Sequence, residues 1–104
     1  MIRKGCKMKL KPGYEKEYKK RHDEIWGELS KLLKDTGISD YTIYLDPETL
    51  TLFSTMKVED EEALKKLPEQ EIMKKWWDYM ADIMEVNPDN SPVSKDLEEV
   101  FHLD

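Results

Sequence analysis

Hydrophobic and polar residues alternate along the start of the chain, from Ile2 to Leu10. A period of two is typical of a β-strand that buries one face and exposes the other. The segment Lys11-Pro12-Gly13 follows, and its proline and glycine predict that the strand ends there. The apolar face of this strand consists of Ile2, Cys6, Met8 and Leu10, with Lys4 as the exception.

The next segment, Tyr14 to Asp35, has a helical period and is followed by Gly37, a residue type that commonly ends helices. At about 100° per residue, its apolar side chains fall within an arc of about 120°, the width of a core-facing stripe. The sequence therefore predicts one long helix with His22 in the middle of its buried face. The stripe consists of Tyr14, Tyr18, His22, Ile25, Trp26, Leu29, Leu32 and Leu33.

Two strand-like runs, Tyr41 to Leu45 and Leu50 to Val58, follow the long helix. The residues between them, Asp46-Pro47-Glu48-Thr49, have the composition of a turn, so the two runs are predicted to form a hairpin. Asp60 is a good N-cap and predicts a short helix that ends near Pro68.

A second long helix is predicted from about Glu69 to Met84. Trp77 lies just past the edge of its apolar stripe. The segment Asn87 to Ser94 carries two prolines and is expected to be a loop, and Leu97 to Leu103 alternates as a last strand would. The stripe of this helix consists of Ile72, Met73, Trp76, Met80, Ile83 and Met84.

The predicted order of elements is therefore β-α-β-β-α-β, within a single domain that spans residues 1–104. Right-handed crossovers on both sides of a central hairpin give a four-stranded antiparallel sheet with both helices on one face. This is the α+β class, in the form of a ferredoxin-like sandwich. The open face of the sheet is expected to carry Tyr44, Phe53 and Val100, and an apolar face of this kind predicts a homodimer that packs sheet against sheet.

The composition of the chain disfavours some kinds of binding partner. The formal net charge is −6, from 23 acidic and 17 basic residues, which disfavours nucleic acid and anionic membranes as partners. No apolar run is long enough to span a bilayer. Cys6 is the single cysteine, which excludes an internal disulfide and suits a reducing compartment. The start of the chain lacks the apolar core of a signal peptide, so a cytoplasmic location is expected.

The candidate chemistry centres on His22. A histidine on an apolar stripe is often a core residue with satisfied hydrogen bonds, and that interpretation stays open. The alternative is a general acid or base, because an unperturbed pKa of about 6.5 allows imidazole to give and take protons near neutrality. His102 is expected on the surface, and a Cys6–His22 nucleophile pair is a weak alternative. Neither metal-ligand spacing nor a glycine-rich phosphate loop is present, so no metal or cofactor is expected.

The adjacent pair Trp76 and Trp77 is the other unusual feature. Trp76 could be an ordinary core residue, but Trp77 points about 100° further round the helix and would be only partly covered. Two indoles at the border of the core can form the walls of a pocket whose flat faces suit the C–H face of a sugar. From the pattern alone, core and pocket are equally good interpretations.

Taken together, these residues resemble the L-rhamnose mutarotase family over the whole chain. The resemblance implies a dimeric α+β barrel built from two ferredoxin-like subunits. It also implies that His22 is the proton donor and that Tyr18, Tyr41, Trp76 and Trp77 contact the substrate. One departure is Gly27, where other members carry proline. The matching segments are MIRK at residues 1–4, YKKRHDEIW at 18–26, YTIYLD at 41–46, WWDYM at 76–80, NPDNSPVS at 87–94 and EVFHL at 99–103.

The function implied by this resemblance is interconversion of the α and β anomers of L-rhamnose, an isomerase reaction that proceeds by acid–base ring opening and closure. Such chemistry requires neither a metal nor a redox cofactor. Three alternative functions remain open. The fold also suits a non-catalytic module that binds a sugar or another small ligand, an oxygenase of the dimeric α+β barrel type, and a purely structural dimer.

Overall fold

The computed structural model describes all 104 residues and contains one four-stranded antiparallel sheet. Its strands are β1 (Ile2–Lys9), β2 (Ile38–Asp46), β3 (Thr51–Val58) and β4 (Ser94–Leu97), in the spatial order β2-β3-β1-β4. The helices are α1 (Glu15–Asp23), α2 (Gly27–Asp35), α3 (Glu61–Lys66) and α4 (Glu71–Met80), and Leu67–Glu69 form a 3₁₀ turn. The predicted ferredoxin-like α+β fold is confirmed. None of the helices combines the length and the apolar character needed to cross a membrane.

The core lies between the helices and one face of the sheet. Leu52, Ser54 and Val58 alternate along β3 and are each at most 1 % exposed, because the helices cover this side. Leu29 of α2 and Trp76 of α4 pack into the same cluster. Phe53, between Leu52 and Ser54, points to the other side and is 37 % exposed, as expected for the open face.

The hairpin between β2 and β3 is closed by turn chemistry at Asp46. Its side chain accepts hydrogen bonds from the backbone N–H of Glu48 and the hydroxyl of Thr49, both at 3.0 Å. The N–H of Leu50 donates to the carbonyl of Asp46 at 2.8 Å, with Leu50 in the left-handed region at φ 60°. The hairpin prediction is confirmed, and β2 begins three residues earlier than expected, at Ile38.

A bulge in β2 decides which way Tyr41 points. The register against β3 shifts between Ser39 and Thr42, and Asp40 takes a positive φ of 51°. An extra residue in one strand reverses the alternation of side chains beyond it. Ile38 before the bulge and Tyr41 after it therefore both face the helices.

The prediction of one continuous helix over Tyr14 to Asp35 is wrong. The chain leaves the helix after Asp23, and Trp26 is extended, with φ −59° and ψ 133°. A straight helix of the predicted length would run about 33 Å, nearly the 36 Å longest dimension of the molecule. The break allows both halves to pack across the sheet. The prediction was wrong because the apolar stripe of a broken helix resembles that of a straight one.

The second long helix is also shorter than predicted, because α4 ends at Met80 rather than Met84. The chain beyond it pairs with the end of β1: the N–H of Lys11 donates to the carbonyl of Ile83 at 2.9 Å, and that of Glu85 to Lys9 at 3.1 Å. Ile83 and Met84 are buried. They are therefore apolar because the segment packs beside the end of β1, and not because it is helical.

The predicted last strand, Leu97 to Leu103, is displaced. The observed β4 pairs Ser94 to Leu97 with β1, and residues 98–104 have no regular structure. Val100 is 91 % exposed and lies outside the sheet, which corrects its expected place on the open face. Pairing with β1 ends at Gly5 opposite Leu97, although β1 itself continues to Ile2, so the apolar alternation beyond Leu97 does not reflect strand pairing.

Candidate active site

A cleft of about 1430 Å³ opens between the helices and the covered face of the sheet. This exceeds the roughly 300–1,000 Å³ usual for small-molecule sites, so the cleft can hold a monosaccharide with room for solvent. All of the residues predicted for the site line this one cleft, although they come from three different elements. They are Tyr18 and His22 on α1, Tyr41 on β2, and Trp76 and Trp77 on α4.

Helix α1 holds Tyr18 and His22 one turn apart on the same face. Their rings stack with centroids 4.3 Å apart and planes 29° from parallel. Nδ1 of His22 lies 3.0 Å from the backbone carbonyl oxygen of Tyr18. The imidazole is therefore fixed on two sides, by the phenol ring and by the helix backbone.

That hydrogen bond decides the tautomer of His22. A carbonyl oxygen only accepts hydrogen bonds, so Nδ1 must carry the proton and Nε2 of the neutral ring keeps its lone pair. Burial lowers the pKa of His22, and this outweighs the opposing effects of the Tyr18 carbonyl and the negative charge of Asp23. The ring is therefore neutral at pH 7 and can accept a proton at Nε2.

Trp76 is both a core residue and a wall of the cleft. It is only 6 % exposed. Its indole meets His22 edge to face, with centroids 5.4 Å apart and planes at 89°. Trp26 packs against it in the same way, at 5.1 Å. The half-buried Trp77 lines the cleft beside it, so the core interpretation applies to Trp76 and the pocket interpretation to both residues.

Tyr18 and Tyr41 supply phenol groups to the cleft. Tyr18 is buried, and desolvation raises its pKa well above the usual range. Tyr41 is 41 % exposed as a whole residue. Desolvation nevertheless raises the pKa of its phenol to about 12, with a smaller contribution from Cys6. Both hydroxyls therefore stay protonated at neutral pH and can donate hydrogen bonds to oxygen atoms in the cleft.

Cys6 also lines the cleft, and its hydrogen-bond partner is a serine of the neighbouring strand. Its sulfur is 2.9 Å from the hydroxyl of Ser54 on the neighbouring strand. Because Ser54 is 1 % exposed, this contact satisfies a polar group that would otherwise be buried alone.

Sequence reasoning missed a polar rim at the mouth of the cleft. Asn87, Asp89 and Ser91 line it from the loop that precedes β4. The carboxylate of Asp89 accepts from the N–H of Ser91 at 3.0 Å and from its hydroxyl at 2.5 Å, which lowers the pKa of Asp89. Asn90 donates to Asp78 of α4 at 3.0 Å and ties the loop to the helix. The prolines identified this segment as a loop, but no sequence pattern places it over the cleft.

No group of three or more His, Cys, Asp or Glu side chains comes together in a geometry that could hold a metal ion. His102 bonds to Asp104 at 2.8 Å, outside the cleft. The aromatic polar groups of the cleft are one imidazole, two phenols and two indoles, and charged side chains such as Lys19, Asp23 and Lys74 also line it.

The topology and the cleft define a ferredoxin-like α+β protein with a neutral imidazole at the edge of an aromatic small-molecule site. A family model described as L-rhamnose mutarotase matches residues 3–103. The chain belongs to this family.

Relatives are similar over their full length. The L-rhamnose mutarotase of Bacteroides thetaiotaomicron is 62 % identical over 104 residues, covering 100 % of both chains. That of Phocaeicola vulgatus is 58 % identical over the same length. The crystal structure of L-rhamnose mutarotase from Formosa agariphila superimposes with a TM-score of 0.93 at 55 % identity, over 100 % of both chains. A Pseudomonas aeruginosa protein at 12 % identity and a TM-score of 0.56, covering 95 % of this chain and 93 % of its own, shares the fold alone.

Proposed function

We propose that this protein interconverts the α and β anomers of L-rhamnose and that His22 is its acid–base group. The observation that carries the proposal is the neutral imidazole whose Nε2 is free to accept a proton, held against Trp76 inside the cleft. It occurs in a chain that is 62 % identical, over its full length, to an L-rhamnose mutarotase.

The reaction needs only proton transfer and bond rotation. The anomeric hydroxyl loses its proton while the bond between C1 and the ring oxygen breaks, which gives the open-chain aldehyde. The ring oxygen gains a proton, the C1–C2 bond rotates, and the ring recloses on the opposite face of C1. General acid–base assistance of this kind typically supplies about 10²–10⁴-fold in rate.

His22 can serve both oxygens in turn. Nε2 first takes the proton of the anomeric hydroxyl, and the imidazolium formed then returns a proton to the ring oxygen, which is bonded to the same carbon. Reclosure runs the two transfers in reverse. Because the resting form of His22 is neutral, it acts first as a base. The proton donor that the family resemblance implies is the imidazolium formed in that first transfer.

The aromatic residues bind and orient the sugar in this scheme. Tyr18 and Tyr41 stay protonated, so their phenols donate hydrogen bonds to sugar oxygens and stabilise negative charge on the ring oxygen as it leaves C1. Trp76 and Trp77 pack against the C–H face of the ring and the C5 methyl group, the apolar part of a 6-deoxy sugar.

We also propose that two copies associate through the open face of the sheet. Tyr44 and Phe53 lie opposite each other there and are 63 % and 37 % exposed, and Leu97 of β4 is 41 % exposed. Apolar side chains of this size on one surface favour a covering partner. A second copy presents the same surface about a twofold axis. The single free thiol suits the cytoplasm as the site of action.

The test is magnetisation-transfer NMR between the anomeric protons of L-rhamnose, with fucose, ribose and glucose for comparison. We expect the protein to accelerate exchange between the two anomers of L-rhamnose more than that of the other sugars. Line broadening by binding without faster exchange would contradict the proposal and favour a sugar-binding module. Equal acceleration of every sugar would contradict the assignment of L-rhamnose.

A further inference from the structure

Arg21 precedes His22 on α1, but its guanidinium points away from the cleft towards the end of α4. Its nitrogens contact both carboxylate oxygens of Asp82, at 2.8 and 3.2 Å, and Glu17 at 2.7 Å. It also donates to the backbone carbonyl of Tyr79 at 2.8 Å and lies 4.5 Å above the ring of that residue. One side chain thus joins α1 to the last turn of α4 and to the segment beyond it.

This cluster differs from the other ion pairs of the helices. The Lys31–Asp35 pair of α2 joins side chains that are 78 % and 61 % exposed, and such pairs contribute little. The Arg21 side chain is only 11 % exposed, although Asp82 is 63 % exposed, and the bidentate contact fixes a direction as well as a distance. Because an ion pair with an exposed partner contributes little to stability, its geometry is the stronger reason for its presence.

Helix α1 has few other means of holding its position. It is nine residues long, Tyr18 is its only buried residue, and no side chain caps its N-terminus. A helix this short is not stable on its own. The chain breaks directly after it, before Gly27, so α2 does not extend it as a rigid rod. The orientation of α1 therefore depends on contacts such as those of Arg21.

The contacts of Arg21 continue to the imidazole through aromatic rings. Tyr79, beneath the guanidinium, packs against Trp76 at 5.6 Å between centroids and against Trp26 at 5.4 Å. Trp76 in turn meets His22 at 5.4 Å. Arg21 and His22 are adjacent on α1 and contact two aromatic rings of α4 that pack together. Arg21 contacts Tyr79 from outside the cleft, and His22 contacts Trp76 from inside it.

We propose that Arg21 is a positioning residue for the proton transfers at His22: its contacts with Asp82 and Tyr79 fix α1 against α4 and so hold the imidazole at its place in the cleft. Arg21 does not line the cleft. This inference rests on the proposed function, since it names what the acid–base group requires.

Three variants test it, each assayed well below its melting temperature. Arg21→Met removes the charge and retains an unbranched side chain, Arg21→Lys retains the charge without the planar fork, and Asp82→Asn leaves Arg21 without its carboxylate. We expect Arg21→Met and Asp82→Asn to lower kcat for anomer exchange about 10–100-fold, as a small displacement of a catalytic group does. KM should change less, and Arg21→Lys should recover part of kcat. Lys31→Met, which removes an exposed pair, is the matched control and should keep full activity.

The second readout is the NMR titration of the His22 ring, which needs no activity. Loss of the Arg21 contacts should loosen the packing against Trp76, admit water and move the pKa of His22 back towards its unperturbed value. Unchanged kcat and an unchanged His22 titration in folded Arg21→Met or Asp82→Asn would overturn the inference and leave a structural role alone. Should the wild-type protein fail to exchange anomers, the proposed function fails, while the titration still decides whether Arg21 positions the imidazole.

Discussion

The two faces of the sheet are built from the same strands but have opposite surroundings. On the helix side, Leu52 and Ser54 of β3 are 1 % exposed, and Leu52 lines the cleft. On the other side, Phe53 lies between them in sequence and is 37 % exposed, with Tyr44 opposite it. Because side chains alternate along a strand, one stretch of sequence serves both surfaces. The proposed chemistry and the proposed dimer contact lie on different faces, so substitutions should separate them.

The largest effect is expected on the helix side, at Trp76. Trp76→Ala removes a buried indole that contacts His22, Trp26 and Tyr79. We expect it to cost about 3–5 kcal/mol in the free energy of unfolding, measured by urea denaturation, and to abolish most of the activity. Trp77→Ala is the matched control, because its half-buried ring should cost less stability and weaken mainly sugar binding. Equal destabilisation by the two variants would contradict the larger part of Trp76 in the core.

A smaller effect is expected on the open face, at Phe53. Phe53→Asp places a charge in the proposed dimer contact and should shift the equilibrium to monomers, measured by sedimentation velocity. The monomer should retain a cleft whose lining residues come from one chain. Tyr14→Asp, at an aromatic residue of similar exposure away from the sheet, is the control and should leave the mass unchanged. A wild-type protein that sediments as a monomer would contradict the proposed partner for this face.

A modest gain in stability is expected at the break between α1 and α2. Gly27 opens α2, and a side chain added there meets nothing within 4 Å. The preceding Trp26, at ψ 133°, already has the conformation that proline requires of its neighbour. Gly27→Pro should therefore raise stability by about 0.4–1 kcal/mol by restricting the unfolded chain, detected as a higher Tm. A loss of stability would show that α1 and α2 are not separated as described.

The smallest effect on stability should come from the titration of His22. Burial lowers its pKa in the folded state below the unfolded value of about 6.5. The unfolded chain therefore binds the proton more readily than the folded chain. The contribution of the neutral ring to the free energy of unfolding is complete above about pH 6.5 and is lost as pH falls through the folded-state pKa. Tm should decrease on acidification less in His22→Gln than in the wild type. Activity should also fall below the folded-state pKa, since imidazolium cannot accept a proton, and a rate that rises on acidification would contradict this.

The sequence predicted those elements correctly where the hydrophobic pattern agrees with the strand pairing of the structure. The alternation in β1 and the turn at Asp46 are local signals, and both led to the observed strands. The helix break at Trp26 was not predictable, because its extended ψ does not disturb the spacing of the apolar residues. The last strand was misplaced because Ser94 to Leu97 is exposed and mostly polar, and only its pairing with β1 makes it a strand.

The candidate site shows the same limit. The residues named in advance share one cleft, and His22, Trp76 and Trp77 could be selected because their types and positions on the helices were unusual. The direction of Tyr41 depends on a bulge that no pattern announced. The rim from the loop before β4 and the contacts of Arg21 depend on tertiary proximity, which a single sequence does not encode at any fixed spacing.

The most direct test of the account is the rate of anomer exchange of L-rhamnose with His22→Ala, measured by magnetisation transfer beside the wild type. We expect a folded variant, with the near-ultraviolet circular dichroism of a packed aromatic core, whose acceleration of exchange is reduced about 10²–10⁴-fold. A folded His22→Ala variant that exchanges anomers as fast as the wild type would show that the imidazole in the cleft is not the acid–base group.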